Sequence, residues 1–576
     1  MTSHSLNFRF LMTSVSVATL LAACAPSSVT PEPATESVTI GPEVETQPLA
    51  ERAGAPLFDG MGSFTRTITT SDPDAQRYFD QGMVLAFGFN HAEANRSFRA
   101  AQTLDPSCAM CFWGEALATG PNINVTADGK AVMSEADQVS AYAALEKARA
   151  LAPNASELEQ DMIAALATRY SAEPVEDRFP YDLAYADAME ALSAKYPEDD
   201  DIASMAAEAR MNTMPWDYWS TPTTPRPKAD AAITSLETVI ARSPDHALAL
   251  HLYIHAVEAS DQPELAEPAA DLLADLVPGS GHLVHMPAHI YWRVGRYEDA
   301  ATANIKAAKV DEDYIAACNA QGFYPALYYP HNIHFLWASA SMMGQSELAL
   351  EQADKLAANV SLEMIDQFPT VEFFHTIPLL TKVQFAKWDE LLKAEQPRAD
   401  LAYSNAIWHY ARGVAMARSG NLVGAETEYA AMSPLIETDK VMLLDGADYP
   451  ASALLTIAQS LLAGELSMAA KDFDAAISHF GKAVALQDGL PYTEPPFWYY
   501  PSRQSLGEAL MAADKYADAE AVYRTDLADY PKNGWSTFGL MAALEAQGKT
   551  AEAERVSEQF EILWQMADVE LESSRL

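Results

Sequence analysis

Apolar residues recur at intervals of three and four from about residue 72 onward, and the runs are broken by Gly, Asn and Pro. This spacing places apolar side chains on one face of a helix, whereas the strict alternation that is typical of strands is nearly absent. The pattern therefore predicts an all-α protein.

The helical pattern also repeats along the chain. Ala232, Ala266 and Ala300 stand 34 residues apart, as do Pro244 and Pro278. Small residues are needed where two helices cross closely, aromatic residues fill the gap to the next pair, and proline ends a helix. Other units carry the same residue types at similar spacing: Gly82, Ala94, Phe98, Ala101 and Pro106; Gly464, Ala476, Phe480 and Ala483; Gly507, Ala519, Tyr523 and Pro531.

These units resemble the tetratricopeptide (TPR) repeat, which has a period of 34 residues. The segment RSFRAAQTLDP shows this most directly, and GHLVHMPAHIYWRVGRYEDA and YYPHNIHFLWA are similar to stretches of uncharacterised bacterial TPR lipoproteins. The resemblance implies a right-handed superhelical solenoid of about a dozen helix pairs over residues 56–576. It also implies that the first helix of each pair lines a concave face.

The N-terminal segment predicts export and lipid anchoring. Residues 1–23 combine Arg9 with a short apolar run, as in a signal peptide, and Leu21-Ala22-Ala23-Cys24 resembles the lipobox in which Cys24 is acylated. Residues 24–55 are rich in Pro, Ser, Thr and Glu and predict a disordered tether. We expect a location in the bacterial cell envelope, at the outer membrane facing the periplasm, with the lipid as the only membrane contact; a secreted protein with a chance cysteine is the alternative.

The chain is strongly acidic, with 37 Lys and Arg against 80 Asp and Glu and a formal net charge of −43. Such a field repels nucleic acid, so nucleic-acid binding is not expected. Cations or basic partners are favoured, although acidity also serves solubility alone.

Histidines recur in phase with the repeat. His251 and His255 are four residues apart, and His285 and His289 form the same pair 34 residues later. His334 precedes Ala349 by the same interval that separates His285 from Ala300 and His251 from Ala266. The resemblance implies that these five residues face one concave groove, and His282 and His331, each three residues before one of them, are candidates to join it.

Neutral imidazole is the commonest metal ligand, and pairs four apart on a helix can reach one ion. We therefore predict a zinc or copper site from these histidines, supplemented by Glu258 or by the Glu372 and His375 pair. Two alternatives stay open, which are a metal-free groove for an organic ligand and histidines that are only buried structural groups. The sequence contains no HExxH, so ordinary zinc-protease chemistry is not indicated.

Cys108 and Cys111 form a CxxC, which outside the cytoplasm predicts a local disulfide, with a redox role as the weaker alternative. Aromatic clusters around Trp216 and Trp498 are candidates for stacking on sugars or for ordinary core packing.

Three functions follow from these features. The first is an envelope scaffold that binds a protein, a peptide or a small ligand in the concave groove. The second is a metalloprotein, either a carrier or an enzyme, and the third is a glycan-binding lipoprotein. The sequence contains no phosphate-binding glycine loop, GxSxG elbow or dinucleotide fingerprint, so it favours no familiar enzyme class and leaves catalysis open.

Overall fold

The structure is a computed structural model that describes residues 48–127, 130–318 and 323–576. The predicted signal peptide, Cys24 and most of the predicted tether lie outside these residues. The described α-helices are Leu49–Ala53 (α1), Pro73–Phe87 (α2), His91–Leu104 (α3), Ala109–Thr119 (α4), Glu135–Leu151 (α5), Glu157–Leu166 (α6), Phe179–Lys195 (α7), Asp200–Met211 (α8), Pro227–Arg242 (α9), Ala247–Val257 (α10), Glu267–Leu276 (α11), Gly281–His285 (α12), Pro287–Arg293 (α13), Tyr297–Cys318 (α14), Phe323–Met342 (α15), Ser346–Asn359 (α16), Leu362–Gln367 (α17), Ile377–Gln384 (α18), Trp388–Lys393 (α19), Ala402–Arg418 (α20), Leu422–Met432 (α21), Asp439–Asp445 (α22), Ala451–Ala469 (α23), Phe473–Asp488 (α24), Arg503–Ala512 (α25), Tyr516–Asp529 (α26), Gly534–Ala546 (α27) and Thr550–Leu563 (α28).

Strands contribute very little to the described chain. Thr126–Ala127 (β1) pairs antiparallel with Lys130–Ala131 (β2), and Trp219–Thr221 (β3) pairs antiparallel with Thr224–Pro225 (β4). Short 3-10 segments occupy Ala152–Asn154, Ala167–Arg169, Pro263–Ala266, Pro369–Thr376 and Ser433–Leu435.

The helices form twelve consecutive pairs, so the predicted all-α solenoid of TPR-like units is confirmed. α1, α17 and α22 stand outside the pairs. The pairs are α2/α3, α4/α5, α6/α7, α8/α9, α10/α11, α12 and α13 with α14, α15/α16, α18/α19, α20/α21, α23/α24, α25/α26 and α27/α28.

Aromatic side chains on the second helices separate the first helices of neighbouring pairs. A Cβ on Gly82 of α2 would lie 2.6 Å from the Phe98 ring, and a Cβ on Gly114 of α4 would lie 2.4 Å from the same ring. Tyr523 fills the equivalent gap between Gly507 and Gly539, with a Cβ–ring distance of 2.3 Å on each side. The small and aromatic positions of the repeat thus have the packing role that the sequence predicted.

Local capping chemistry sets where helices begin. The Asp72 carboxylate accepts hydrogen bonds from the amides of Asp74 and Ala75, and Pro73 occupies the first turn, where a missing N–H costs nothing. α6 begins with a capping box in which Ser156 and Glu159 each bond the other's backbone amide.

Successive turns of the superhelix contact one another. The carbonyl of Gly60 accepts a hydrogen bond from the Gly279 amide at 2.9 Å, and Arg66 pairs with Asp199 at 3.0 Å. On the other side, Trp535 Nε1 donates to the Ser341 carbonyl at 3.0 Å. The middle units therefore lie between the N-terminal segment and the C-terminal units.

The described chain is already folded before the predicted boundary at residue 56. Leu49–Ala53 is helical, Ala53 and Ala55 are buried, and the Tyr78 hydroxyl donates to the Ala55 carbonyl at 2.5 Å. Residues 48–55 are therefore part of the folded unit, because even small apolar residues gain enough contact there to order the backbone.

Among the described helices, α23 alone has the length and apolar composition that could cross a membrane. Leu454, Leu455, Ile457 and Leu461 of this helix are fully buried, and it packs against α20 and α24. These contacts make it a core helix of the solenoid.

Candidate metal centre

Three consecutive first helices carry the histidines. His251 and His255 lie on α10, while His331 lies on α15. His282, His285 and His289 lie on α12 and α13, which Pro287 divides. Met286 at the junction keeps right-handed helical dihedrals (φ −50°, ψ −37°), so the chain bends without reversing, and His285 and His289 stay on one face.

His251, His255 and His282 form the first triad. A ring nitrogen from each lies within 4.8 Å of the other two, and all three side chains are buried. The Nε2 atoms of His251 and His282 are 3.2 Å apart.

His285, His289 and His331 form the second triad. Their ring nitrogens likewise lie within 4.8 Å of one another, and His331 is half-buried whereas the other two are buried. The Nε2 atoms of His285 and His289 are 2.9 Å apart.

The second triad is the first triad moved along by one repeat. His251 and His255 precede Ala266 by the same two intervals by which His285 and His289 precede Ala300. The third histidine of each triad comes from the following unit. His282 precedes Ala300 by the same interval by which His331 precedes Ala349. The two triads are direct neighbours, since the ring centroids of His255 and His289 lie 5.5 Å apart.

Hydrogen bonds at Nδ1 determine which nitrogens carry protons. His251 Nδ1 lies 2.7 Å from the Phe87 carbonyl oxygen, and a carbonyl can only accept. His285 Nδ1 lies 2.7 Å from Asn304 Oδ1, and Asn304 Nδ2 donates to the Ala300 carbonyl, which fixes the amide orientation. Both rings therefore carry the proton on Nδ1 and present a bare Nε2 lone pair to the triad.

Glu258 connects the two triads. Its Oε1 lies 2.9 Å from His255 Nδ1, and its Oε2 lies 2.5 Å from His289 Nδ1. A carboxylate that accepts from both rings leaves Nε2 of each free of a proton. In metal sites, such carboxylate–histidine bonds orient the ligand and raise its basicity.

Burial keeps these rings uncharged near neutral pH. It lowers the pKa of His251, His255 and His289 to about 3, and it lowers the pKa of His282, His285 and His331 well below the ordinary value. A metal ion binds the neutral imidazole, so these residues need release no proton before ligation.

Aromatic rings enclose each triad. Phe89 lies 4.7 Å from His251 and 5.4 Å from His282 between ring centroids, and Phe335 lies 4.9 Å from His285 and 4.7 Å from His289. Trp216, which is 41% exposed, packs edge-on against His255 at 5.2 Å. Nε2 of His255 and Nδ1 of His282 are buried and have no hydrogen-bond partner among the described residues.

The nitrogen spacing fits a metal ion. Two nitrogens that are each about 2.0–2.1 Å from a tetrahedral zinc ion lie roughly 3.3 Å apart. The observed separations are 3.2 Å for His251 and His282 and 2.9 Å for His285 and His289. A ring nitrogen of the third histidine of each triad lies within 4.8 Å of the other two, so each triad brings three imidazoles together.

Three predicted ligands lie elsewhere. His334 stacks on Trp337 at 5.1 Å rather than joining a triad. In the two earlier units a second histidine, His255 or His289, follows four residues later, whereas Ala338 stands at this position after His334. His375 Nε2 hydrogen-bonds the Val360 carbonyl, and its predicted companion Glu372 accepts from the Ser404 amide and hydroxyl.

The concave groove that the resemblance implies is covered at these units. His251 and His285 are 0% exposed, because the N-terminal segment and the C-terminal units cover the concave side. The histidines share an enclosed interior instead.

Glu494 is a site residue that the sequence reasoning missed. It reaches the centre from the loop between α24 and α25, and its Oε2 lies 3.5 Å from His289 Nδ1. Glu258, His289 and Glu494 form a third buried group of potential ligands. Each carboxyl has its pKa raised by burial, and Glu258 raises the pKa of Glu494 further, while Arg293 opposes the shift in both. Its position inside an aromatic, proline-rich stretch gave no signal of this role.

The two predicted cysteines and Trp498 lie outside the histidine triads. Cys108 and Cys111 form a disulfide at the start of α4. Trp498 is 2% exposed and packs against Tyr410 and Tyr499, so its ring belongs to the core.

The fold and the buried histidines together define a helical-repeat protein with a candidate two-site metal centre. Helical-repeat solenoids serve in general as binding scaffolds for proteins or smaller ligands.

No family model matches the chain, and comparison with curated proteins gave no match. Among solved structures, the chain is similar to the human IFIT1 dimer with m7Gppp-AAAA, at 13% identity over 86% of this chain and 91% of that one, with a TM-score of 0.29. It is also similar to yeast Tom70, at 13% identity over 85% and 92% of the two chains, with a TM-score of 0.27. At these TM-scores the likeness carries no argument, and the fold assignment rests on the helix pairs themselves.

Proposed function

We propose that the protein is a metalloprotein that holds two transition-metal ions, one in each triad. The observation that carries this proposal is the pair His285 and His289, whose Nε2 atoms face each other at 2.9 Å. Asn304 and Glu258 hold the proton of each ring on Nδ1, so neither Nε2 can donate to the other. Two lone pairs at this distance repel unless a cation lies between them.

The ligand set favours zinc or copper. Six neutral imidazoles suit both ions, and no thiolate is among the ligands. Three protein ligands per ion leave one coordination position open, as in catalytic rather than structural zinc sites. The centre is therefore suited to a bound water, an exchangeable ligand or a substrate, which fits either a carrier or an enzyme.

The direct test is metal analysis of protein without a histidine tag. After equilibration with Zn²⁺ or Cu²⁺ and removal of excess metal, we expect two equivalents per chain by mass spectrometry. X-ray absorption should show three imidazole nitrogens at about 2.0 Å from each metal. Less than about 0.2 equivalents after loading would reject the proposal and leave a metal-free scaffold, since an imidazole cluster should bind appreciably.

We also propose that the chain is a lipid-anchored protein of the bacterial cell envelope. Its support is the Leu21-Ala22-Ala23-Cys24 sequence and the Cys108–Cys111 disulfide, which suits an oxidising compartment. Labelled palmitate should be incorporated into the wild type and not into Cys24→Ser, and the variant should leave the membrane fraction. Equal labelling of both proteins would reject this location.

A further inference from the structure

A cavity of about 290 Å³ adjoins the second triad, with His331 in its wall. Pockets for small molecules span roughly 300–1,000 Å³, so this cavity suits a molecule of about one ring. His331 is the half-buried member of the second triad, so the cavity leads to that triad from its accessible side.

The walls of this cavity are largely aromatic. The Phe373 ring stacks on Tyr449 at 5.1 Å with an interplanar angle of 15°, and Phe497 meets Tyr449 edge-on at 5.7 Å. The Tyr449 hydroxyl is paired with the Tyr403 hydroxyl at 3.0 Å. Such walls favour a flat apolar ring by area burial and by offset or edge contacts.

One polar group in the wall has an unused acceptor. Glu494 lines the cavity and is 7% exposed, and its Oε1 accepts a hydrogen bond from the Tyr492 hydroxyl. Its Oε2 is buried and has no hydrogen-bond partner among the described residues. A buried carboxyl oxygen without a hydrogen-bond partner is costly, and a ligand hydroxyl, which can donate or accept, would remove that cost.

We infer that this cavity binds a small aromatic molecule that carries a hydroxyl group. The ring packs against the wall that Phe373, Tyr449 and Phe497 form, and the hydroxyl lies toward Glu494 and toward the metal that the second triad would hold. This inference rests on the proposed function, because the metal supplies one of the two contacts of the hydroxyl. It names the class of ligand that the centre would take.

A second, larger cavity provides an internal comparison. It measures about 820 Å³, shares Glu494 and Phe497 with the first cavity, and has Arg293, Arg503 and Asp529 in its wall. Neither triad contributes a residue to it. Asp529→Asn therefore serves as a control, because it changes a carboxylate to an amide in the larger cavity and leaves the walls of the aromatic cavity unchanged.

The test is a phenol titration of the Cu²⁺-loaded protein, followed by calorimetry and by the electron paramagnetic resonance spectrum of copper. We expect saturable binding of one phenol with a change in the copper spectrum, and at least about tenfold weaker binding of toluene, which lacks the hydroxyl. Glu494→Gln should weaken phenol about tenfold, and Val371→Trp, which fills the cavity, should abolish binding. Asp529→Asn should bind phenol like the wild type.

Metal content is measured first in every sample, so that the two proposals fail separately. Absence of metal rejects the proposed function. Two equivalents of metal with equal affinity for phenol and toluene, or with phenol bound equally well by the metal-free protein, overturns the inference about the cavity. If Val371→Trp does not fold, as judged by its circular dichroism, Phe373→Leu replaces it, and unchanged phenol affinity in that variant also overturns the inference.

Discussion

His251 Nε2 and His282 Nε2 lie 3.2 Å apart although the two residues belong to different helix pairs. The contact exists because the first helices of neighbouring pairs lie side by side along the concave face. The same relation recurs between the pair His285 and His289 and the next unit's His331. Repetition of one unit has thus produced two equivalent triads rather than one.

Loss of one triad should leave the other intact. His251→Ala removes a ligand of the first triad and His289→Ala a ligand of the second, so each variant should bind one equivalent of metal instead of two. The double variant should bind none. Mass spectrometry of loaded protein gives the count.

The matched controls are the histidines that lie outside both triads. His334→Gln and His375→Gln should each retain two equivalents, because His334 stacks on Trp337 and His375 bonds the Val360 carbonyl. Loss of metal in either variant would contradict the assignment of ligands.

Glu258→Gln should weaken both sites, because this one carboxylate fixes Nδ1 of His255 and of His289. Loss of such an outer partner typically costs about 10- to 100-fold in metal affinity. Asn304→Leu removes only the partner of His285, so it should weaken the second site alone. Competition with a chromophoric chelator measures both affinities, and an unchanged first site in Glu258→Gln would argue against a shared partner.

Most histidines of the two triads could be predicted from the sequence. The repeat period placed His251, His255, His285 and His289 correctly on neighbouring helices, because helix pairs translate a fixed interval into a spatial stack. His331, offered as a further candidate, lies in the second triad, whereas His334, grouped with these four, lies outside both triads. His282 and His331 share one interval to the alanine of their own unit, which is the signal for their common role.

The outer partners could not be predicted from the repeat. Phe87 lies 164 residues before His251 in the chain, and Glu494 follows His289 by more than two hundred residues. Both reach the centre only because successive turns of the superhelix touch. Repeat spacing describes contacts between neighbouring units and carries no information about contacts between turns.

Metal should stabilise the fold. The ligands are brought together only in the native chain, so metal at 100 times its dissociation constant adds about 2.7 kcal/mol to the free energy of unfolding for each site. Differential scanning calorimetry should show a higher Tm for the loaded protein than for the chelator-treated protein. The His251→Ala, His289→Ala double variant should show no difference between the two conditions.

Acid should remove the contribution that Asp105, near the N-terminus, makes to the free energy of unfolding. Burial raises the pKa of Asp105, but hydrogen bonds from Ser107, Thr70 and Ser71 outweigh it and lower the pKa below the ordinary 3.8. The stabilisation is therefore complete above pH 3.8 and is lost as the pH falls through the native pKa. Asp105→Asn should cost about 1–3 kcal/mol at pH 7, and urea titrations should show this gap closing below pH 3.8.

Closure of the superhelix should depend on Gly295. Its φ is +74°, and a Cβ there would lie 2.3 Å from the Pro531 carbonyl oxygen, so Gly295→Ala pushes the middle units away from the C-terminal units. Gly548 has a similar φ of +71° but nothing within 4 Å of the Cβ position, which makes Gly548→Ala the control for backbone strain alone. That strain costs about 1–2 kcal/mol in either variant. Gly295→Ala should lose a further 1–3 kcal/mol or so from the clash, and urea unfolding of the two variants measures the difference.

Because contact between turns encloses the histidines, Gly295→Ala should also bind metal more weakly than Gly548→Ala. Equal stability with equal metal affinity in the two variants would show that contact between turns is not what encloses the centre.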